Sequence, residues 1–145
     1  MADLSFDTTL HVRDHCLCLH AQRAARALAR CFDDAFRPLG LTNGQFSLLM
    51  SLNRPEPPSL GSVASLLAMD RTTLTAALKP LARRGLLKVT VDQEDRRGRR
   101  LALTAKGRKL LARAVPIWRA KHAELDTQLE DPESLRQGLR ALTAT

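Results

Sequence analysis

SVASLLAMDRTTLTAALKPLARRGLL, residues 62 to 87, is the stretch that decides the fold. Its apolar residues recur at helical spacing as far as Leu67, and Asp70 then offers a carboxylate of the kind that caps helix N-termini. A second amphipathic segment runs from Arg71 to Arg84 and stops at Gly85, a residue that readily takes the left-handed conformation found after helices. The stretch predicts two short helices joined by a tight turn.

The second of these helices is predicted to bury one face and expose the other. The inward side chains, which share about 100° of arc on a helical wheel, are Leu74, Ala77, Leu78 and Leu81. The outward side chains are Thr72, Thr75, Ala76, Lys79 and Arg83. Because Pro80 supplies no N–H to the carbonyl of Ala76, we expect a bend at that turn.

Two short runs of alternating apolar residues follow, LLKVTV at 86 to 91 and LAL at 101 to 103. With Gly98 between them to let the chain turn, they predict a two-stranded hairpin. Its inward side chains are predicted to be Leu87, Val89, Val91, Leu101 and Leu103. Its tip carries Arg96, Arg97, Arg99 and Arg100. Two short helices followed by a hairpin is the order of a winged helix-turn-helix.

Further helices are predicted on both sides of this unit. Residues 7 to 37 contain no Pro or Gly, and their apolar side chains predict one long amphipathic helix that Pro38 and Gly40 end. The apolar face of that helix is too wide for one neighbouring helix to cover, which indicates two partners. Thr42 is the expected N-cap of the next helix, with Gln45 at its third position.

The remaining helices are marked by their caps. A proline-rich connection, NRPEPPS, ends at Ser59, which can cap the first helix of the quoted stretch. After the hairpin, Thr104 is expected to cap a long helix that kinks at Pro116 and reaches about Leu129. Asp131 is expected to cap a terminal helix. The sequence therefore predicts a mainly α fold with a two-stranded β wing, a winged helix-turn-helix flanked by long helices.

Positive charge is concentrated in one part of the chain. The whole chain of 145 residues carries a net charge of +8, and residues 70 to 113 hold 13 Lys and Arg against 4 Asp and Glu. A solvated surface would interleave both signs, whereas a concentrated basic block is typical of proteins that bind a polyanion. At 44% hydrophobic residues the chain can bury a core without disulfide or metal staples.

Several function classes find no support in the sequence. No glycine-rich phosphate loop, nucleophile elbow or paired His and carboxylate motif is present, so we predict that the chain is not an enzyme. Cys16, Cys18 and the scattered histidines give no tetrahedral ligand set, so we predict neither a metal nor a cofactor. Because there is neither a basic leader before an apolar stretch nor a run of roughly 20 apolar residues, we expect a cytoplasmic protein without membrane contact.

The exposed helix face and the basic hairpin together indicate binding to double-stranded DNA. In a winged helix-turn-helix the second short helix enters the major groove, and an arginine-tipped hairpin can reach the adjacent minor groove. The predicted DNA-binding residues are Ser59, Ser62, Arg71, Thr72, Thr73, Thr75, Ala76, Lys79, Arg83, Arg96, Arg97 and Arg99. Two alternatives stay open, a non-specific architectural DNA binder and a winged helix whose basic face binds a protein partner.

The sequence resembles the MarR family of bacterial transcription regulators from about residue 10 to residue 142. The motifs that carry the resemblance are LTNGQFSLLMSL at 41 to 52, the stretch quoted first, and DQEDRRGRRLALTAKGRKLL at 92 to 111. The resemblance implies a homodimer that binds a pseudo-palindromic operator, with half-sites about one helical turn apart.

The resemblance also implies a division of labour within a single unit. Residues 1–145 would form one unit in which 41–104 bind DNA and 7–40 and 105–145 dimerise. In the family's wing pattern Asp95 would orient an arginine, and the arginine that enters the minor groove maps to Arg97, with Arg99 the other candidate.

Similar proteins are usually repressors released by small aromatic or phenolic compounds. The resemblance implies that such an effector binds between the dimer helices and the DNA-reading part, and Cys16, His20, Arg23 and Trp118 lie on the helices that would line its site. An alternative is redox sensing, because one branch of the family uses a cysteine near the start of the first helix, roughly where Cys16 lies. Those sensors activate the thiol with tyrosines, and this chain has none.

Overall fold

The computed structural model describes residues 4–144 and is mainly helical, with one two-stranded antiparallel sheet. In chain order the elements are α1 (Phe6–His15), α2 (Leu17–Phe36), a 3-10 turn (Arg37–Leu39), α3 (Asn43–Ser51), α4 (Leu60–Leu66), α5 (Arg71–Arg83), β1 (Leu87–Val91), β2 (Arg99–Leu103), α6 (Ala105–Asp126) and α7 (Pro132–Thr143). The predicted fold class, a winged helix-turn-helix between longer helices, is confirmed.

The prediction of one continuous helix over residues 7 to 37 is wrong, because the helix is interrupted at Cys16. The backbone of this residue is extended, with ψ of 109°, and its thiol accepts the backbone N–H of Leu19 at 3.4 Å. Cys16 thus ends α1 and caps α2. Neither Pro nor Gly marks the break, so the sequence pattern did not reveal it. The predicted stop is confirmed at Gly40, whose φ is +66°.

The predicted N-caps are confirmed. Each of the capping side chains accepts the backbone N–H of the residue three positions further on, and these caps are Thr42, Ser59, Asp70, Thr104 and Asp131. The side-chain Oε1 of Gln45 accepts the backbone N–H of Thr42, which completes a capping box. The C-terminal end of α6 is at Asp126, three residues before the predicted boundary at Leu129.

The turn between α4 and α5 and the end of α5 both use left-handed backbone. Ala68 in the turn has φ of +52°, and Gly85 after α5 has φ of +71°, as predicted for the terminating glycine. Pro80 lies inside α5, and the helix continues past it to Arg83. A lost N–H in the last turn leaves the earlier hydrogen bonds intact, so the proline does not end the helix.

The hydrophobic core joins α2, α3, α5, the sheet and α6. Its fully buried side chains include Phe36, Leu49, Leu74, Leu81 and Leu101. Gly107 in the first turn of α6 lies directly against the backbone carbonyl of Leu86, where a Cβ would collide. The two long helices, α2 and α6, and the winged helix-turn-helix are therefore packed on one core.

The two strands of the wing pair Leu87 with Leu103, Val89 with Leu101 and Val91 with Arg99. The alternation was expected to bury all five inward residues, and this is wrong for Val89 and Val91, which are 43% and 45% exposed. Only the end of the hairpin next to α6 reaches the core, because the strands extend outward beyond it.

Apolar side chains remain exposed along the outer helices of the chain. Neither α1 nor α7 has a buried residue, and the exposed apolar side chains on α2 and α7 include Leu17, Leu28, Leu135 and Leu139. Within residues 4–144, no helix is both long and apolar enough to span a bilayer.

Candidate nucleic-acid interface

The cap of α5 orders the first turn of the helix. The backbone N–H and the hydroxyl of Thr73 donate to the two oxygens of the Asp70 carboxylate, at 2.7 and 2.8 Å. These hydrogen bonds from Thr73 lower the pKa of Asp70 from its ordinary value of 3.8. Asp70 is therefore anionic at neutral pH, which suits the positive end of the helix dipole.

The outward face of α5 is open to solvent as predicted. Its exposed residues are Thr72, Thr75, Ala76, Lys79 and Arg83. In the part of the chain that the structure describes, the hydroxyls of Thr72 and Thr75 form no hydrogen bond. Both hydroxyls are thus available as donor and acceptor, the chemistry that base edges require.

Three other predicted DNA-binding hydroxyls already have partners inside the protein. The Thr73 hydroxyl donates to Asp70, the Ser62 hydroxyl donates to the carbonyl of Ser59 at 2.9 Å, and the Ser59 hydroxyl accepts the N–H of Ser62 at 3.1 Å. These groups hold the first turns of α4 and α5. Their protons, except that of Ser59, are not free to meet a phosphate in this arrangement.

The half of the wing next to its loop is tied to the proline-rich connection before α4. Arg100 donates from Nε to Oδ2 of Asp92 at 3.0 Å and from Nη1 to the carbonyl of Pro57 at 3.3 Å. The backbone N–H of Leu101 donates to the carbonyl of Pro58 at 3.0 Å, and Ser59 forms a β-bridge with Arg100. The connection therefore lies beside β2 and sets the direction of the hairpin.

Asp92 is the buried carboxylate of this anchor. The backbone N–H of Glu94 donates to it at 3.0 Å, and this bond, together with the charge of Arg100, lowers the pKa of Asp92. The expectation that Arg100 lies at the wing tip is wrong, because Arg100 pairs with Thr90 inside β2. Neither Asp92 nor Pro57 was predicted to have a role, because the sequence pattern marks residues 53 to 59 only as a connection. The available signal was an Asp and an Arg eight residues apart, on either side of the loop of a predicted hairpin.

Asp95 was expected to orient an arginine, and the structure shows a different kind of orientation. Its carboxylate accepts the backbone N–H of Arg97 at 3.1 Å, and its carbonyl accepts the N–H of Gly98 at 2.8 Å. Asp95 therefore shapes the backbone of the wing tip, whereas the side-chain pair with an arginine belongs to Asp92. The reason is that the tip turns tightly at Gly98, which brings the backbone of Arg97 over the Asp95 carboxylate.

The arginines at the wing tip differ in their freedom. The guanidinium of Arg99 donates to the carbonyls of Gly98 and Arg96, at 3.1 and 3.4 Å, and so folds back over the tip. Over the described range 4–144, the guanidinium groups of Arg96 and Arg97 have neither a hydrogen bond nor an ion pair. Arg96 and Arg97 can therefore extend away from the protein without losing an internal contact.

The exposed face of α5 and the wing line common grooves. One groove, of about 400 Å³, is lined by Arg71 and Thr75 of α5 and by Arg97 and Arg99 of the wing, together with Ser59, Asp92 and Asp95. A second, of about 230 Å³, is lined by Thr75, Lys79 and Arg99 among others. Thr75 and Lys79 of α5 therefore face the same side of the molecule as Arg97 and Arg99 of the wing.

The predicted effector residues do not share one groove. His20 and Arg23 line a groove along α2, and Trp118 lines another between α3, α4 and α6. Cys16 lies at the break before α2, half-buried, and lines neither. All four residues lie on the outer helices, as expected. The helical repeat and the interruption between α1 and α2 at Cys16 direct their side chains to different sides of the chain.

No cluster of three or more His, Cys, Asp or Glu side chains suited to hold a metal ion is found among residues 4–144. Cys16, Cys18 and Cys31 form no disulfide bond.

An exposed helix in second position and a basic hairpin beside it define a winged helix-turn-helix protein. A family model described as the MarR family matches residues 41–98. The transcriptional regulator MosR of M. tuberculosis, solved in complex with DNA, is 38% identical, with 90% of this chain and 95% of that chain covered and a TM-score of 0.83. The chain belongs to the MarR family.

Two further relatives show how far the similarity extends. The transcriptional repressor CouR, solved with a 23-mer DNA duplex, is 29% identical at a TM-score of 0.74, with 99% of this chain and 97% of that chain covered. The uncharacterized HTH-type transcriptional regulator YybA of Bacillus subtilis is 30% identical over 86 residues, which are 59% of this chain and 57% of the relative. The match thus spans little more than half the length of YybA.

Proposed function

We propose that the protein is a homodimeric transcription regulator that binds double-stranded DNA in a sequence-specific manner. The single observation that carries the proposal is that Thr75 of α5 lines the same groove as Arg97 and Arg99 of the wing. Insertion of α5 into the major groove and of the wing into the adjacent minor groove requires both elements to lie on the same side of the protein. The two similar regulators solved with DNA, MosR and CouR, support it.

The residues are assigned roles by their freedom in the structure. Thr72, Thr75, Ala76, Lys79 and Arg83 read base edges from the open face of α5. Arg97 enters the minor groove in preference to Arg99, because the Arg97 guanidinium has no internal contact to give up. Arg71, Arg96 and Arg99 contact phosphates, and the ordered first turns of α4 and α5 offer backbone N–H groups to them.

The dimer follows from the apolar side chains that one chain leaves exposed. Residues 7–40 and 105–145 provide the dimer contacts in this proposal, and 41–104 bind DNA. Leu17 and Leu28 on α2 and Leu135 and Leu139 on α7 are between 44% and 68% exposed in the single chain, and association with a second copy would bury them. Light scattering should show a dimer, and Leu139→Glu should shift it towards monomer while Gln137→Glu does not.

A small aromatic effector fits the groove that Trp118 lines. This groove, of about 520 Å³, lies between α3, α4 and α6 and also has Phe46, Met50 and Leu67 in its wall. An aromatic ring bound there would contact both the helix that enters the DNA-reading unit and the helix that leaves it. The protein acts by binding and not by catalysis in this proposal, and it works in the cytoplasm where the chromosome is.

Thiol oxidation at Cys16 is a second candidate way of switching the regulator, because the thiol itself caps α2. An organic peroxide would transfer one oxygen to the sulfur, forming a sulfenic acid, and leave as an alcohol. The bulkier, more polar group would disturb the cap and the direction of α1. Peroxide should then weaken DNA binding by wild type and not by Cys16→Ser; equal loss in both would rule this candidate out.

The experiment that tests the proposed function is selection from random duplexes followed by affinity measurement at fixed salt. We expect two half-sites related by a pseudo-dyad and an affinity for the selected duplex at least about a thousandfold above that for a scrambled one. Nearly equal affinities would instead support an architectural DNA binder. Absence of any DNA binding, with retention on a protein partner, would support a winged helix that binds protein.

A further inference from the structure

We propose that His11 and His15 of α1 together bind one late first-row divalent metal ion, of the class of Ni²⁺, Cu²⁺ and Zn²⁺. Both residues are exposed, and they are four positions apart on the helix, so their side chains leave the same face. Their imidazole rings are stacked, with 4.2 Å between the ring centroids and 25° between the ring planes. The two rings are therefore already neighbours before any ion binds.

The separation of the rings is close to that of two imidazoles bound to one ion. Metal–nitrogen bonds of about 2.1 Å that meet at a right angle hold the two ring centroids about 4.6 Å apart. Small rotations of two exposed side chains cover the difference from the observed 4.2 Å. An ion can thus bridge the pair without a change in the backbone of α1. Two histidines at this spacing on one helix are also the ligands that the helical zinc motif of metalloproteases provides.

The hydrogen bonding of His15 leaves the nitrogen that a metal needs. Its Nδ1 lies 2.8 Å from the backbone carbonyl of His11. Because a carbonyl only accepts, Nδ1 carries the proton of the neutral ring and Nε2 keeps its lone pair. Histidines that bind metals typically donate their other ring N–H in this way. Over residues 4–144 the ring nitrogens of His11 have no hydrogen-bond partner, so either of them can face the ion.

The other potential ligands nearby in the sequence are directed elsewhere. Cys16, Cys18 and His20 follow α1, and the thiols of both cysteines accept hydrogen bonds from groups of α2. In the described part of the chain no three His, Cys, Asp or Glu side chains form a metal-binding cluster. The ion would therefore have two imidazole ligands, with water in its remaining positions. Imidazole ligands favour late transition ions, whereas Mg²⁺ and Ca²⁺ require oxygen.

A bound ion would stabilise α1, a helix that has no buried residue. Cross-linking His11 to His15 holds one helical turn closed, and an ion that binds only the helical form favours that form by mass action. The N–H of Cys16, which donates to the carbonyl of Val12 at 2.9 Å, should then exchange more slowly with solvent. Neither histidine is among the proposed DNA-binding or effector residues, so the inference holds whether or not the protein binds DNA.

The test is calorimetric titration of the reduced, full-length protein, without an affinity tag, with Ni²⁺. We expect one ion per chain, and His11→Ala and His15→Ala should each weaken binding at least about tenfold, because each variant loses the second, intramolecular ligand. His20→Ala is the matched control and should leave the affinity unchanged. His20 makes the same hydrogen bond from Nδ1 to a backbone carbonyl, that of Cys16, at 2.8 Å, but its ring does not belong to the stacked pair.

A double variant shows whether the two imidazoles act as one site. His11→Ala combined with His15→Ala should bind Ni²⁺ about as weakly as either single variant, because a chelating pair is lost as a unit. Losses that multiply in the double variant would mean two independent ligands and would overturn the proposal. Hydrogen exchange at the Cys16 N–H should slow on addition of Ni²⁺ in wild type and stay unchanged in His15→Ala.

Competition and absorption identify the ligand atoms. Excess Mg²⁺ should not displace Ni²⁺, and the complex should lack the near-ultraviolet charge-transfer absorption of a nickel–thiolate bond. Displacement by Mg²⁺ would assign the ion to carboxylates, and charge-transfer absorption would assign it to the cysteines. Either result, an equal loss in His20→Ala, or half an ion per chain would overturn the site described.

Discussion

The side chain of Arg100 reaches from the second strand of the wing to Asp92 at the end of the first, with 3.0 Å between its Nε and the carboxylate Oδ2. The same guanidinium bonds to the carbonyl of Pro57, so one residue joins both strands to the segment that leads into α4. The direction of the wing is therefore coupled to the position of the helix-turn-helix.

Arg100→Met should loosen the wing, because it keeps the aliphatic stem but removes the bonds to Asp92 and Pro57. We expect faster hydrogen exchange at the N–H of Leu101, which donates to Pro58, and weaker DNA binding. Arg96→Met removes the same charge from an arginine with no internal partner, and exchange at Leu101 should stay at the wild-type rate. Unchanged exchange in Arg100→Met would show that the wing does not depend on this residue.

Arg97→Ala should reduce the slope of log affinity against log salt concentration by about one, as expected for one lost contact to the DNA backbone or minor groove. Arg99→Ala should have the smaller effect, since the Arg99 guanidinium is already bonded to the wing tip. Binding titrations at four salt concentrations measure both slopes. The reverse order of effects would assign the inserted arginine to Arg99.

Gly107→Ala should destabilise the fold by about 2 kcal/mol, the cost of forcing an extra methyl group into a packed interior. The new Cβ would collide with the carbonyl of Leu86. Gly138→Ala is the control, because nothing lies within 4 Å of a Cβ there and alanine is the better helix former. Urea unfolding should show the first variant less stable and the second slightly more stable than wild type; equal midpoints would contradict the packing described.

Acid should weaken the cap of α5. The folded-state pKa of Asp70 lies below 3.8, so the cap stabilises the protein fully above that value and its contribution is lost as the pH falls through the lowered pKa. Asp70→Asn keeps a capping side chain that does not titrate. The difference in unfolding midpoint between wild type and Asp70→Asn should shrink as the pH falls from about 5 to about 2. A difference that stays constant over this range would contradict the role of the Asp70 carboxylate as a cap.

Local signals in the sequence were enough to predict most of the helices and strands. Caps such as Thr42 and Asp70 and the glycines at 40 and 85 are decided by neighbouring residues, and all four are confirmed. The break at Cys16 was missed because an extended residue without Pro or Gly leaves no local mark. Burial of Val89 was wrongly predicted because alternation shows which residues share a face but not how far the core extends.

Contacts between distant segments were beyond the sequence pattern. The hydrogen bond from Arg100 to the carbonyl of Pro57 joins residues 43 positions apart, and neither the wing sequence nor the proline-rich connection indicates it on its own. The predicted effector residues shared an expected location, but the break in the helix and the helical repeat separate them. The exposure of one face of α5 beside the hairpin was predictable because it depends on one helix and one adjacent hairpin.

The central claim is that the exposed face of α5 reads base sequence, and Thr75→Ala tests it most directly. The measurement is the affinity of wild type and of this variant for a panel of operators, each with one base pair changed. We expect an altered base preference at one position in each half-site, with an unchanged slope of log affinity against log salt concentration. A uniform loss of affinity over the whole panel, with wild-type base preferences, would contradict it.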